Sequence, residues 1–257
     1  MVSLNKLDVY TLIRLNLSNY TIVLFIIIFS LFSIGFTELI LQLEKMIKLV
    51  SLNITLPEKI NLNGGVKKNL TGIFKKPINE KVFLDELGFH GDGVGNARIH
   101  GGKDMAVCAY FVDHFPHWKK ELDREIKPGA FGENLSLAGI NETQMNIGDI
   151  YRLGEAEIEV SQPRQPCHKL NKVFDLQAMA CKVQTTGYTG CYFRVKKTGW
   201  VMPGSVFEKI QEGLGKISIE MVNMLMFKKK NNTDLLRNFA SLQALSIQWR
   251  KKFQKRL

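Results

Sequence analysis

Glu155-Ala-Glu-Ile-Glu-Val-Ser-Gln-Pro-Arg-Gln-Pro-Cys-His-Lys169 changes character twice within one short stretch. Ala156, Ile158 and Val160 alternate with three glutamates, the period-two pattern of a half-buried strand over Glu155–Val160. Pro163 and Pro166 then fix the backbone on either side of Arg164 and end the ladder. Cys167 follows near the start of a helix predicted over Leu170–Val183, beside Arg164, His168 and Lys169. Nearby cations and a helix N-terminus lower a thiol pKa, and the thiolate is a nucleophile or a soft metal ligand. The competing reading is a buried structural cysteine, the usual fate of a lone one.

Outward from this stretch the chain keeps to short strands and turns. Val50-Ser-Leu-Asn-Ile54 repeats the alternation, and further strands are predicted at Lys81–Leu84, Met105–Tyr110, Tyr192–Val195 and Val206–Ile210. Glycine and asparagine punctuate the gaps, as in Asn63-Gly-Gly65, Gly91-Asp-Gly93 and Gly101-Gly102. A helix is predicted over Asp113–Leu122, with Asp113 as N-cap and Pro116 inside the tolerant first turn. Many strands with few helices between them exclude a doubly wound parallel sheet. They point to an α+β, mainly β fold, a barrel with helical decoration. After Gly215 the pattern turns helical, with short helices predicted over Ser218–Phe227, Thr233–Ala240 and Leu242–Phe253, capped by Ser218 and Thr233. The organisation expected is a hydrophobic segment over 1–45, a barrel domain over 46–214 and a three-helix domain over 215–257.

Composition narrows the function classes. With 257 residues, 45% hydrophobic and 23% charged, the chain buries a core without staples, and neither global disorder nor a polytopic membrane protein fits. The four cysteines form no CxxC pair, so a zinc ribbon is excluded and reduced thiols in a cytoplasmic setting are expected. The net charge of +11 suggests nucleic acid, but nine Lys/Arg against one acid over Lys228–Leu257 account for +8 of it. A short basic tail is a solvated helical face more often than a nucleic-acid site, and no specific nucleic-acid partner is expected. Residues 15–37 carry no charge, and as a helix they reach roughly the 30 Å of a hydrocarbon core. They read either as a membrane anchor outside the catalytic fold or as sequence ahead of a start at Met46.

The densest polar cluster is His90-Gly-Asp-Gly-Val-Gly-Asn-Ala-Arg-Ile-His-Gly-Gly-Lys-Asp104. Its glycines let backbone approach a ligand, and Arg98, His100 and Lys103 are the cations that a phosphate or carboxylate needs. An irregular loop held by internal Asx and arginine hydrogen bonds explains the same residues. Pro128-Gly-Ala-Phe-Gly-Glu-Asn-Leu135 adds Glu133 and Asn134, which either hydrogen-bond a heterocycle or cap a turn.

Together with Leu87-Gly-Phe-His-Gly-Asp92, Arg98-Ile-His-Gly-Gly-Lys-Asp104, Gly129-Ala-Phe-Gly-Glu-Asn-Leu135, Ile147-Gly-Asp149 and Ser161-Gln-Pro-Arg-Gln-Pro-Cys167, the sequence from Met46 to Leu257 resembles the MOSC family. The domain is named for the C terminus of molybdenum cofactor sulfurase. The likeness is greatest to bacterial stand-alone members that reduce hydroxylaminopurines and end in three helices. The resemblance implies a β-rich barrel binding a molybdopterin-type molybdenum cofactor, with Cys167 as metal ligand and catalytic group. It implies that Arg98, His100, Lys103, Asp104, Arg164 and Lys169 contact the cofactor's phosphate and pterin, and that Glu133 and Asn134 contact its ring edge. The reaction implied is reduction of N-hydroxylated small molecules (hydroxylaminopurines, amidoximes) to amines, with electrons from an external flavin or iron–sulfur protein. Gly187-Tyr-Thr-Gly-Cys-Tyr192 departs from the family pattern, with Tyr188 and Cys191 where a basic residue and an aromatic are usual. Two other readings compete. One is a non-catalytic cofactor or sulfur carrier using Cys167, and the other a membrane-tethered adaptor that uses the basic tail.

Overall fold

The computed structural model describes residues 47–60, 69–228 and 232–257. The uncharged run 15–37 and its expected role as an anchor lie outside the described residues. Among the described residues, no helix is long and apolar enough to cross a membrane.

Thirteen strands form: β1 (Lys48–Ile54), β2 (Glu58–Ile60), β3 (Asn69–Thr71), β4 (Lys76–Pro77), β5 (Val82–Asp85), β6 (Gly88–Phe89), β7 (Val107–Phe111), β8 (Leu135–Ala138), β9 (Ile150–Leu153), β10 (Ala156–Pro163), β11 (Cys191–Lys197), β12 (Gly199–Val201) and β13 (Phe207–Gln211). Eight of them make one mixed sheet in the order β13-β9-β10-β11-β7-β8-β1-β4, curled into a half-barrel. All its pairs are antiparallel except β7 with β8, where Ala109 lies opposite Leu135. The strands β12, β5 and β6 form a small second sheet, and β2 pairs with β3.

The alternation that predicts β10 holds only for its first half. Beyond Val160 both faces are covered, so Ser161, Gln162 and Pro163 are buried as well. The buried carboxylate of Glu159 lies 3.3 Å from both Arg194 and Lys196. Strand β7 is buried along its whole length. Val107, Ala109 and Phe111 enter the main core, while Tyr110 points to a smaller second core with Trp118, Phe131, Leu170 and Phe174. Gly190, just before β11, has φ +69°, and a Cβ there would lie 2.1 Å from the Ala109 carbonyl oxygen. Only glycine lets β11 approach β7 that closely.

Seven α-helices complete the described chain: α1 (Ala97–His100), α2 (Phe115–Leu122), α3 (Lys169–Val173), α4 (Met179–Thr186), α5 (Ile219–Phe227), α6 (Thr233–Ser241) and α7 (Ile247–Gln254). Three expectations are corrected here. Asp113 does not cap α2; it sits in a 3₁₀ turn before the helix, and its carboxylate accepts from the Gly139 N–H at 2.9 Å instead. The helix expected over Leu170–Val183 is two helices, broken where Asp175 adopts φ +48°. The cap of α6 is Asn232, whose side chain accepts from Leu235 N–H, so Thr233 is the first helical residue. Ser218 does cap α5, through the Met221 N–H.

The three C-terminal helices bury Val222, Leu225, Leu236, Phe239, Trp249 and Phe253 in the same core as the sheet. Ser246 N–H donates to the Ser161 carbonyl at 2.9 Å, tying the start of α7 to the end of β10.

Candidate functional site

Three strand ends meet where β10 finishes. Pro163 lies opposite Cys191 in β11, and Tyr192 lies opposite Cys108 in β7. This register sets the side chains of Cys108, Arg164 and Tyr192 against one cavity of about 550 Å³. The Gly91–Gly95 loop, the β5–β6 turn, Asn134, His100, Cys167 and Lys169 complete its walls. Gly95 belongs to that loop because a Cβ there would lie 1.8 Å from the Leu70 carbonyl oxygen. Gly95 thus packs backbone on backbone, while a Cβ at Gly93 would meet the Pro57 ring at 2.7 Å and one at Gly102 would meet nothing within 4 Å.

Arg164 is the central cation. It is buried, its Nη2 donates to the Phe131 carbonyl, and its Nη1 has no hydrogen-bond partner. Burial opposes its charge, but the thiol and phenol groups of Cys108, Tyr192 and Cys167 outweigh that and raise its pKa. Burial also pushes the Cys108 thiol and the Tyr192 phenol upward, so both stay protonated near neutrality. Cys167 is partly exposed at the cavity wall. Lys169 reaches across to donate to the Leu70 carbonyl at 3.2 Å.

Burial, then the charges of Lys169, Arg164 and His168, lower the pKa of His100. Its ring is thus neutral at pH 7, and an anion seated in the cavity would raise its proton affinity again. The ring resonances of His100 should titrate below the ordinary imidazole range of about 6.5, and saturating inorganic phosphate should move the midpoint upward. A midpoint indifferent to phosphate would remove His100 from the anion site.

The structure brings together His100, Asn134, Arg164, Cys167 and Lys169 of the residues expected from sequence. The other four lie elsewhere. Arg98 is exposed on α1 and its side chain makes no hydrogen bond or ion pair among the described residues, where Asp92 pairs with Lys75 and Asp104 with Arg194. Lys103 is exposed and paired with Glu86 at 2.5 Å. The Asp104 carboxylate serves Arg194 at 2.8 Å, while its carbonyl accepts from Ser161 Oγ. Glu133 is fully buried behind the wall, accepting from Gly129 N–H, Phe131 N–H and Ser136 Oγ, so no oxygen is turned toward a ring edge. Asn134 reaches the cavity, but its amide accepts from Cys108 N–H and donates to Asn53 and Asp92. It fastens the wall.

Sequence reasoning missed Cys108, Tyr192 and the Lys75–Asp92 pair, which is buried at 2.5 Å and also lines the cavity. The departure at Tyr188 and Cys191 does not touch it. Tyr188 stacks on His114, and Cys191 faces Met145 in the core.

Arg98→Ala is expected to change thermal stability by less than about 0.5 kcal/mol, as for other exposed positions. Its effect on the binding of inorganic phosphate should fall far below that of Arg164→Ala. Comparable losses of phosphate binding in the two variants would return Arg98 to the site.

The comparisons agree with this architecture. The MOSC domain model matches residues 96–208, and the YiiM-like 3-alpha helix domain model matches residues 217–257. The chain is 42% identical to YflK of Bacillus subtilis over 83% of its length and 96% of that protein. It is 34% identical to YiiM of Escherichia coli over 72% of its length and 84% of the relative. A protein of Gibberella moniliformis named reductase is 33% identical over 67% of the chain, which spans only 32% of that longer protein. The solved structure of YiiM from Geobacillus stearothermophilus superposes with a TM-score of 0.71 at 36% identity, covering 82% of this chain and 99% of that one. A barrel that ends β10 in Pro-Arg-Gln-Pro-Cys, three helices folded into its core and relatives of this identity and coverage have one reading: the chain belongs to the MOSC family and carries the YiiM-like three-helix domain at its C-terminal end.

Proposed function

We propose that this protein is a molybdenum-cofactor-dependent oxidoreductase that reduces N-hydroxylated small molecules to their amines. The observation that carries the reading is the pairing of Cys167 with the buried, unpartnered Nη1 of Arg164 on one cavity. An orphaned guanidinium N–H inside a protein is costly unless a ligand accepts from it. A phosphate or pterin oxygen is such an acceptor, and guanidinium matches it better than any other side chain. Lys169, at the same wall, adds a second positive charge.

Among the described residues, no three His, Cys, Asp or Glu side chains converge on a metal-sized point. A metal held here would draw one protein ligand, the Cys167 thiolate, and the rest from its own organic chelate; thiolate suits a soft centre. When bound, the group supplies two-electron oxygen-transfer chemistry. The overall reaction balances as R–NHOH plus two electrons and two protons giving R–NH₂ and water. Burial and the neighbouring cations lower the His100 pKa, and an anion bound beside it would raise its proton affinity, so His100 could supply a proton at the site. The electrons come from an external flavin or iron–sulfur protein, and the relative named reductase supports redox chemistry of this class.

The test is full-length protein made in a host competent for molybdenum-cofactor synthesis. Near-stoichiometric molybdenum by mass spectrometry, with conversion of 6-N-hydroxylaminopurine to adenine by reduced methyl viologen, is the expected result. Molybdenum without turnover would favour the carrier reading, and neither would overturn both.

A further inference from the structure

A second cavity, of about 470 Å³, shares no lining residue with the first. It lies between α5 and the loop that joins α4 to β11, where α5 packs against the barrel. His114 and Glu142, both buried, are bonded to each other on its wall at 2.6 Å. The other oxygen of Glu142 accepts from the Gly190 N–H at 2.8 Å. Tyr188 covers the imidazole of His114, with centroids 3.8 Å apart and planes 9° from parallel.

Asn223, from α5, is 5% exposed and lines this cavity. Its Nδ2 donates to Thr189 Oγ at 2.8 Å, and Thr189 Oγ donates in turn to the Gly190 carbonyl at 2.9 Å. The threonine proton is thereby spent, so only the amide nitrogen of Asn223 can face it. The orientation of the amide is fixed. Its Oδ1 is left as a buried acceptor with no donor, a state that costs free energy unless a ligand fills it. Three carboxylates (Asp113, Glu142 and Glu220) line the cavity against Lys228 and His114, the latter bonded to Glu142, although the whole chain has a net charge of +11.

We infer that this cavity is a second ligand site, for a small organic cation that presents an N–H fork, an amidine or a protonated amine. The fork donates to Asn223 Oδ1 and lies in the field of the carboxylates. Tyr188, Met224 and Phe227 supply the apolar wall for its body. The first cavity sets Lys75, Arg164 and Lys169 against Asp85 and Asp92, with Lys75 paired to Asp92, so its balance is positive where that of the second is negative.

The probe is benzamidine, titrated into ¹⁵N-labelled full-length protein, with benzyl alcohol as the uncharged control. Shifts should appear at the amides of Gly187, Gly190 and Asn223 and be absent with benzyl alcohol. Asn223→Leu should weaken binding about tenfold, the loss of one charge-assisted hydrogen bond. Glu220 and Asp113 are exposed, so Glu220→Gln and Asp113→Asn should fold normally and each weaken binding about two- to threefold, less at high salt. These two variants decide the matter if Asn223→Leu does not fold. Shifts centred on Gly91, Gly93 and His100, equal binding by the exposed variants and wild type, or no binding at millimolar benzamidine would each overturn the assignment.

Discussion

Cys167→Ser is expected to fold like the wild type and to emerge without molybdenum or turnover. The hydroxyl is a harder donor that stays protonated at neutral pH, so it is a poor substitute for a thiolate on a soft metal. The loss should exceed the roughly 10- to 100-fold that changes behind a metal's ligand shell cost. Stability should move by less than about 0.5 kcal/mol, because Cys167 is only partly buried and precedes α3 rather than filling a core. Cys108→Ser is the informative contrast, since that thiol lines the same cavity. Burial raises its pKa and disfavours a thiolate there, so the variant should keep its metal. Cys181, exposed on α4, and Cys191, buried against Met145, should keep theirs as well. Metal analysis of the four serine variants from one cofactor-competent host checks this. Stoichiometric molybdenum in Cys167→Ser would remove the assignment, and its loss in Cys108→Ser would move it.

What could be read beforehand follows what each signal measures. Period-two alternation reports a strand with one wet face, so β1 and the first half of β10 were legible. The strand β8, Leu135-Ser-Leu-Ala138, alternates over only three residues, too short a run to mark a strand. β7 has two faces that enter different cores, and its continuous apolar run still read as a strand over Met105–Tyr110. Charge has a comparable blind spot. A run such as Arg98-Ile-His-Gly-Gly-Lys103 announces cations but not which way they point, and Arg98 and Lys103 point to solvent. Arg164 was legible because two prolines restrict its backbone in sequence. Lys75 and Asp92 meet only because the Gly91–Gly95 loop folds onto β3, and no local pattern encodes that. The caps erred in a regular way: Asp113 and Thr233 are capping types one or two positions from where the turn closes.

The second large effect is expected at Glu133, a residue with no access to the cavity that nevertheless sets its shape. Its two oxygens hold the Gly129 and Phe131 N–H groups and the Ser136 hydroxyl at 2.6, 3.0 and 2.7 Å. This fixes the turn that aims the Phe131 carbonyl at Arg164 and stacks the Phe131 ring on Tyr110 at 3.8 Å. Glu133→Gln keeps the volume but replaces one acceptor with an amide NH₂ facing a backbone N–H. Leaving a buried donor unmet costs roughly 1–3 kcal/mol, a melting point lower by about 3–10 °C at this size. The deficit should depend on pH. Burial raises the Glu133 carboxyl pKa, although the hydrogen bonds from Ser136 and the backbone and the Arg164 charge pull it down. A carboxyl whose folded pKa lies above its unfolded value of about 4.3 contributes stability that is full below the unfolded pKa and lost as pH rises through the folded one. Glutamine has no such term, so wild type and variant should differ most near pH 4.5 and draw together by pH 8. Calorimetry of both proteins at those two pH values tests this. Equal melting points at pH 4.5, or a gap that widens toward pH 8, would mean that the buried Glu133 carboxyl is not what holds the Arg164 wall in place.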